Sequence, residues 1–207
     1  MAHSPEQGAE MADKIYYYID TATLPETFPT HEHPPHFWEA LGRTIATFGF
    51  LEEMLGKAIF AFTVTRKYPA HDAERAYQAW LLKIEKALTD PLVNLAETYR
   101  KSVLDHPECD LQNVDDLIEK IKRYSKIRNA LCHGSWRPPD KRGKSTILFV
   151  NKQKERFTTP MDVQFLQRVQ KNTMLIACSV INSVTHMGWQ FPGSASPGEQ
   201  LWDTDKK

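Results

Sequence analysis

The sequence predicts an all-α protein, a bundle of four to five helices with a small inserted β-hairpin. Apolar residues recur at spacings of three and four over most of the chain, which is the period of one face of an α-helix. A single run rich in β-branched and aromatic residues, TILFV at 146–150, interrupts that period. Because an amphipathic helix must bury its apolar stripe, helices of this kind are expected to pack against one another.

The length and composition fit one domain of this class. The chain has 207 residues, of which 41% are hydrophobic and 25% charged, as in ordinary globular proteins and unlike disordered chains. No apolar run approaches the roughly 18 residues that a membrane span needs, and the N-terminus is acidic and polar, unlike a signal peptide. The three cysteines are too few for a disulfide framework, which favours a reducing compartment. We therefore expect a cytoplasmic protein and, because no spanning run is found, one without membrane contact.

Prolines dominate the first stretch of the chain. Residues 1–36 contain five of them and are expected to form an extended lead-in, in which residues 14–20 (KIYYYID) suit a short strand or an anchored segment. The helical bundle is expected to occupy residues 37–188. Its first helix is predicted to reach about Arg66, shortly before a proline, and the apolar stripe of this helix carries one acid, Glu52.

Three more helices follow with the same period. They are predicted over residues 72–88, 91–105 and 113–133. A proline opens the second of them, and two acids in the first turn of the third suit its helix dipole. Gly134 is placed to end the third, whose apolar stripe again carries one charge, Arg128.

The pattern changes beyond this point. Residues 137–144 form a basic loop with two prolines, and residues 145–158 are predicted as a hairpin in which 146–150 pairs with 156–158. A last helix is then predicted up to Gly188, with a threonine cap and a proline in its first position, Thr159 and Pro160. Residues 189–207 are expected to form a flexible tail with three aromatic side chains that can dock, Trp189, Phe191 and Trp202.

The charge is balanced overall but unevenly distributed. The chain has 26 basic and 26 acidic side chains, yet residues 1–54 hold nine acids against two bases, and residues 120–144 hold nine bases against one acid, balances of −7 and +8. A basic stretch of this kind concentrates a polyanion such as RNA, although a solvated helix face and loop have the same composition. The basic side chains considered for RNA binding are Lys122, Arg123, Lys126, Arg137, Lys141 and Arg142.

The most informative stretch is YSKIRNALCHGSW, residues 124–136, which ends the helix predicted over 113–133. An arginine precedes a histidine by five or six residues at three places in the chain, and chance alone produces this spacing. Only at the third place does asparagine follow the arginine and glycine follow the histidine, with an uninterrupted amphipathic helix leading in. The three pairs are Arg66–His71, Arg100–His106 and Arg128–His133.

Arg128, Asn129 and His133 form an R-N-x-x-x-H pattern that resembles the signature of the HEPN superfamily (higher eukaryotes and prokaryotes nucleotide-binding domains). The resemblance covers this signature and, loosely, the helical layout between the lead-in and the tail. It implies a helical bundle and, in many members, a metal-independent endoribonuclease of toxin–antitoxin or antiviral systems, although some members are non-catalytic. It also implies a homodimer in which two copies of the motif meet, and a cognate antitoxin or regulatory protein as a partner.

These residue types suit the cleavage of RNA without a metal or another cofactor. Asn129 and His133 lie one turn apart on one helix face, so the amide can hydrogen-bond the imidazole and fix its tautomer. Arg128 can stabilise the charge that develops on the phosphate, while His133 acts as general base toward the 2′-hydroxyl or as general acid toward the 5′-oxygen. We therefore expect Arg128 and His133 to share a pocket that solvent reaches.

Two other interpretations stay open. The chain can be a non-catalytic HEPN-like module that binds a nucleotide, RNA or a partner protein, or a structural protein in which Arg128 forms an ion pair with Glu52. Tyr124 is expected in the core and Trp136 beneath the loop, so these two and Glu52 are predicted as structural residues. The histidine-rich segment HEHPPH, residues 31–36, is not predicted as a metal site because its prolines oppose a preorganised one.

Overall fold

The computed structural model describes residues 16–66 and 69–196 of the chain. The chain divides into two compact units, residues 1–32 and residues 33–207. All α-helices of the described residues belong to the second unit. The first of these helices already begins at Pro35, because a proline suits the first helical position, so the lead-in is slightly shorter than predicted.

The first unit contains turns rather than strands over its described residues. Residues 16–20 have no strand partner, and their large apolar side chains are exposed. One 3-10 helix, Thr21–Thr23, follows, and the carboxylate of Asp20 caps it by accepting the backbone N–H of Ala22 at 3.0 Å. The short strand considered for this segment is therefore absent from its described part, and the two residues before Tyr16 lie outside that part.

Five α-helices form the described part of the second unit and confirm the predicted class, an all-α bundle with a small inserted hairpin. Their ends lie within a few residues of those predicted. None of them, over the residues that the structure describes, is long and apolar enough to cross a bilayer. The helices are α1 (Pro35–Val64), α2 (Ala73–Thr89), α3 (Leu92–Leu104), α4 (Val114–His133) and α5 (Val163–His186).

The core forms around α1, which packs along α5 and α3 and more lightly against α2 and α4. Most of the apolar stripe of α1 is fully buried, as at Leu51, Leu55, Ile59 and Phe62. Burial of side chains of this size stabilises a fold by about 1.5–3 kcal/mol each. Glu52 lies at the edge of the stripe, so α1 directs one acid toward α4 without sealing it in the core.

The inserted hairpin differs from the prediction in its main partner strand. β1 (Ser135–Trp136) pairs antiparallel with β2 (Ile147–Leu148). The predicted partner, residues 156–158, contributes a single bridge, at Val150. The chain leaving α4 turns back at once because Gly134 is extended rather than helical, so β1 already runs beside β2 before the basic loop begins.

The start of α5 also differs from the prediction. Asp162, not Thr159, is the N-cap, and its carboxylate accepts the backbone N–H of Phe165 at 2.7 Å. The reason lies in the preceding residue, Met161, which is buried and pairs with Ser145 through backbone hydrogen bonds of 2.7 and 2.8 Å. This bridge keeps the chain out of the helix up to Met161, so α5 begins later than predicted.

The described part of the C-terminal segment packs against the bundle. Phe191 is buried, and the ring of Trp189 meets those of Phe62 and His106 edge-on at centroid distances of 5.5 and 5.1 Å. Two of the three tail aromatics considered for docking therefore do pack. The third, Trp202, lies outside the described residues.

Candidate functional site

The two residues of the first arginine–histidine pair contact different parts of the protein. Arg66 donates to the carbonyl oxygen of Ser102 at 3.1 Å, which directs its guanidinium toward α3. His71 lies on the surface, with Nε2 at 3.4 Å from the carboxylate of Asp72. The two residues therefore do not form a common site.

The second pair is structural. Arg100 is committed to an ion pair with Asp115 at 2.5 Å. His106 is buried, its Nδ1 accepts the backbone N–H of Glu108 at 3.3 Å, and its Nε2 lies 3.2 Å from Thr65 Oγ1. Because that hydroxyl already donates to a backbone carbonyl group, Nε2 must be the donor between them. His106 is thus held as one neutral tautomer within the core.

This environment makes the stability of the fold depend on pH through His106. Burial lowers the pKa of His106 below its ordinary 6.5, and the nearby Arg66 guanidinium lowers it further. The unfolded chain therefore takes up the proton more readily, so the contribution of neutral His106 is complete above pH 6.5 and is lost as the pH falls below that value. Between about pH 7.5 and pH 5.5 we expect the wild type to lose more unfolding free energy in urea than His106→Gln. Parallel losses in the two proteins would contradict this assignment.

The third pair lies at the C-terminal end of α4. Arg128 Nη2 lies 3.4 Å from Glu52 Oε1, and Arg128 Nη1 donates to Asn129 Oδ1 at 3.4 Å. The structure thus forms the Glu52–Arg128 ion pair considered from the sequence. The Arg128 and Glu52 side chains are 31% and 30% exposed. The guanidinium is therefore oriented through two of its nitrogen atoms while part of it remains accessible to a ligand.

His133 is the last residue of α4 and is exposed. Within the described residues its side chain has no hydrogen bond or ion pair. The amide of Asn129, which was expected to contact this imidazole, instead accepts from Arg128. The tautomer of His133 is therefore not fixed by a side chain of the same helix face.

Arg128 and His133 lie on different sides of α4. Five residues advance an ideal α-helix by about 500°, which places their Cβ atoms about 140° apart around the axis, whereas Asn129 and His133 are about 40° apart. Both Arg128 and His133 reach solvent, but one chain presents them on two different sides of α4. The shared pocket expected from the sequence is not formed by one face of this helix.

One of the six basic residues considered for RNA binding is already neutralised. Lys122 Nζ lies 2.8 Å from Glu119 and 2.7 Å from Glu97 of α3, and hydrogen bonds to these two carboxylates raise the pKa of Lys122. It ties α4 to α3 rather than offering a free cation. The sequence suggested a free lysine because Glu97 approaches only once the two helices pack.

The other five basic candidates, Arg123, Lys126, Arg137, Lys141 and Arg142, are exposed. Arg123 lies over the ring of buried Tyr124, 5.6 Å from its centroid. Asp140 shapes the basic loop by accepting the backbone N–H groups of Arg142 and Lys144 at 2.8 and 2.9 Å, which lowers the pKa of this carboxyl. Asp140, the one acid of this loop, thus holds the loop backbone in place, and the cationic side chains remain on the surface.

An aromatic cluster behind β1 supports the end of α4, and the sequence did not reveal it. Trp136 packs edge-on against Phe37, with centroids 4.9 Å apart, and against His33 at 6.1 Å. His33 is buried, and its Nε2 lies 2.6 Å from the hydroxyl of Ser145. The four-residue spacing of His33 and Phe37 was a hint in the sequence, although His33 itself precedes α1. This cluster fixes the chain immediately after His133.

The histidine-rich segment does not assemble a metal centre in the described residues. No group of three or more His, Cys, Asp or Glu side chains comes together there. Within the segment, His33 is committed to Ser145, and His31 Nε2 lies 3.3 Å from the carboxylate of its neighbour Glu32.

Because the Glu52–Arg128 pair is partly exposed, it can contribute only a little to the unfolding free energy. Exposed ion pairs contribute about 0–1 kcal/mol, whereas breaking a buried pair costs about 3–5 kcal/mol. We expect Arg128→Ala and Glu52→Gln each to lower the unfolding free energy by about 1 kcal/mol or less, as measured by urea denaturation. A loss of about 3 kcal/mol or more in either variant would instead assign Arg128 the purely structural role.

Comparisons of the chain with protein-family models, with curated proteins and with solved structures find no match. The functional interpretation therefore rests on the residues and their geometry.

Proposed function

We propose that the protein is a HEPN-like endoribonuclease that cleaves RNA without a metal ion. The observation that supports this is the contrast among the three arginine–histidine pairs. Among the described residues, only the pair at the end of α4 combines a partly exposed arginine, Arg128, oriented by Glu52 and Asn129, with an exposed histidine, His133, whose side chain has no partner. The resemblance of the motif to the HEPN signature leads us to propose, in addition, that the protein is a cytoplasmic toxin or an antiviral effector.

The proposed reaction uses the nucleophile that RNA itself carries. The 2′-oxygen attacks the adjacent phosphorus while His133 takes the 2′-hydroxyl proton. The bond from phosphorus to the 5′-oxygen breaks, and that oxygen receives a proton from a second imidazole. The products are a 2′,3′-cyclic phosphate and a 5′-hydroxyl. Arg128 donates hydrogen bonds to the non-bridging phosphate oxygens, whose charge grows in the transition state.

The second imidazole is the reason to propose a homodimer. One His133 cannot serve as base and as acid in the same step. In addition, Arg128 and His133 of one chain lie about 140° apart around α4. A two-fold axis near the end of α4 would place Arg128 of one copy beside His133 of the other, since a two-fold interface brings the same patch of both copies together.

Cleavage of RNA in the presence of EDTA tests this function directly. We expect the purified full chain to cut an RNA oligonucleotide as fast in EDTA as in magnesium and to leave 2′,3′-cyclic phosphate ends. An oligonucleotide with a single 2′-deoxy nucleotide at the cleaved position should resist, because its nucleophile is missing. Activity that EDTA abolishes, or that tolerates the 2′-deoxy substitution, would refute the mechanism.

We expect Arg128 to speed cleavage through the parallel N–H donors of its guanidinium group as well as through its charge. Arg128→Ala and Arg128→Lys should each slow cleavage by about 10²–10³-fold, because a lysine cannot hydrogen-bond two phosphate oxygens in parallel. The matched control is Arg43→Ala, which removes an exposed arginine that pairs with Glu39 on α1 at 2.9 Å. Equal activity in all these variants would remove Arg128 from the mechanism.

One observation favours the alternative, a non-catalytic module that binds a nucleotide, RNA or a partner protein. Asn129 is engaged by Arg128 rather than by His133, so no side chain in the described residues orients the imidazole for proton transfer. If the alternative holds with RNA as the ligand, the protein should bind RNA with an affinity that falls steeply as the salt concentration rises. It should cut no RNA strand at any protein concentration. The EDTA assay and a binding assay on the same RNA distinguish the two functions.

A further inference from the structure

The hairpin that follows His133 has one buried face and one exposed face. Residues directly opposite in an antiparallel pair project to the same side. Trp136 and Ile147 are opposite and point inward, whereas Ser135 and Leu148 are opposite and point outward. Arg156 is opposite Val150, so it also projects outward. The outer face of the hairpin thus consists of Ser135, Arg137, Thr146, Leu148, Val150 and Arg156.

Two aliphatic side chains occupy the middle of the outer face. Leu148 and Val150 are 51% and 49% exposed. They stand two residues apart along one strand segment, so their Cα atoms are about 7 Å apart and their side chains form one continuous apolar ridge. Single exposed apolar residues are ordinary on a protein surface, so a docking role for this pair depends on the charged side chains that accompany it.

The ridge lies in a segment rich in cations that form no ion pair within the described residues. Residues 137–156 contain seven basic side chains against two acids, a balance of +5. None of the seven forms an ion pair within the described residues. The two acids are engaged locally, since Asp140 accepts two backbone N–H groups and Glu155 accepts the amide of Asn151 at 2.7 Å. The outer face is therefore apolar at its centre and positively charged at its rim.

We propose that the outer face docks an acidic segment of another protein, one in which aliphatic and acidic residues alternate. Its aliphatic side chains would cover Leu148 and Val150, and its carboxylates would meet Arg137 and Arg156. RNA fits this face less well, because exposed bases stack on aromatic side chains, and the hairpin's tryptophan, Trp136, points inward. The proposal does not depend on cleavage of RNA.

Selection from a random dodecapeptide display library on the full-length protein tests this surface. We expect enriched peptides to combine two or more acids with alternating aliphatic residues. Their binding, measured by fluorescence polarisation, should weaken about tenfold in Leu148→Thr/Val150→Thr, and about tenfold in Arg137→Gln/Arg156→Gln. Both double variants change exposed side chains, so their melting temperatures should stay close to that of the wild type.

The control removes an equally exposed leucine from another element. Leu175 on α5 is 49% exposed, and Leu175→Gln should bind the selected peptides as the wild type does. The same proteins are titrated with a uridine dodecamer, whose affinity should not change in Leu148→Thr/Val150→Thr. Selection that enriches no acidic peptide, peptides that bind this variant normally, or RNA binding that falls as much as peptide binding would each overturn the proposal.

Discussion

Replacement of His133 by alanine is expected to lower the rate of RNA cleavage by about 10²–10⁴-fold, the usual contribution of a group that transfers a proton in the transition state. The His133 side chain is exposed and makes no hydrogen bond or ion pair within the described residues, so its loss should change the unfolding free energy by no more than about 0.5 kcal/mol. Activity and stability are thus expected to separate. The measurements are single-turnover cleavage in EDTA and urea denaturation.

The chain provides a matched control in His186. This histidine lies in the last turn of α5, as His133 lies in the last turn of α4, and its Nε2 is 3.3 Å from the carboxylate of Asp110. His186→Ala should therefore cleave RNA at the wild-type rate. Cleavage by His133→Ala at the wild-type rate would exclude this imidazole from the reaction.

The second large effect is expected for Gly134→Ala, which should lower the unfolding free energy by about 3 kcal/mol because the new methyl group has no room. A Cβ atom there would overlap the Cγ2 methyl of Ile147 and lie 2.7 Å from the carbonyl oxygen of Ala130. The backbone of Gly134, at φ −87° and ψ 151°, is open to any residue, so the cost is steric. For a chain of this length the melting temperature should fall by about 6–12 °C.

Another glycine allows the same chemical change without the clash. Gly42 lies within α1, and a Cβ atom added to it meets nothing within 4 Å. Gly42→Ala should therefore stabilise the protein, by about 0.5–1 kcal/mol, since alanine favours the helix over the unfolded chain. Changes of the same sign in the two variants would contradict the close packing of the hairpin on the end of α4.

The parts of the fold that the sequence predicts are those that local patterns determine. The apolar stripe of α5 is an example, because its members recur with the helical period and lie inward without reference to any other segment. Leu166, Val169, Ile176 and Val180, which follow this period, are all buried. The ends of the helices follow in the same way from proline, glycine and capping residues nearby in the chain.

The hairpin shows what local patterns cannot determine. β1 is only two residues long, Ser135 and Trp136, so no alternation marks it as a strand. Its pairing with β2 depends on the close approach that Gly134 permits at the end of α4, which is a contact between distant parts of the chain. The bridge between Ser145 and Met161 likewise moved the start of α5. Tertiary pairing thus overrode the cap predicted from the sequence.

In the candidate site, too, local sequence patterns predict some contacts, whereas other contacts depend on distant parts of the chain. Glu52 and Arg128 could be paired from the sequence because each is the one charge on an otherwise apolar stripe. Lys122 could not be excluded as an RNA contact, since its partner Glu97 belongs to another helix. In the sequence, His33 stands out only as part of the histidine-rich segment, because its hydrogen-bond partner Ser145 is 112 residues away.

The reliance of α1 on α5 has a consequence for synthesis on the ribosome. α1 buries its stripe chiefly against α5, which emerges about 100 residues later. The start of α5 in turn anchors the hairpin beside His133 through Met161 and Ser145. A nascent chain that already carries Arg128 and His133 thus lacks both α5 and the anchored hairpin until residues 161–186 have been made.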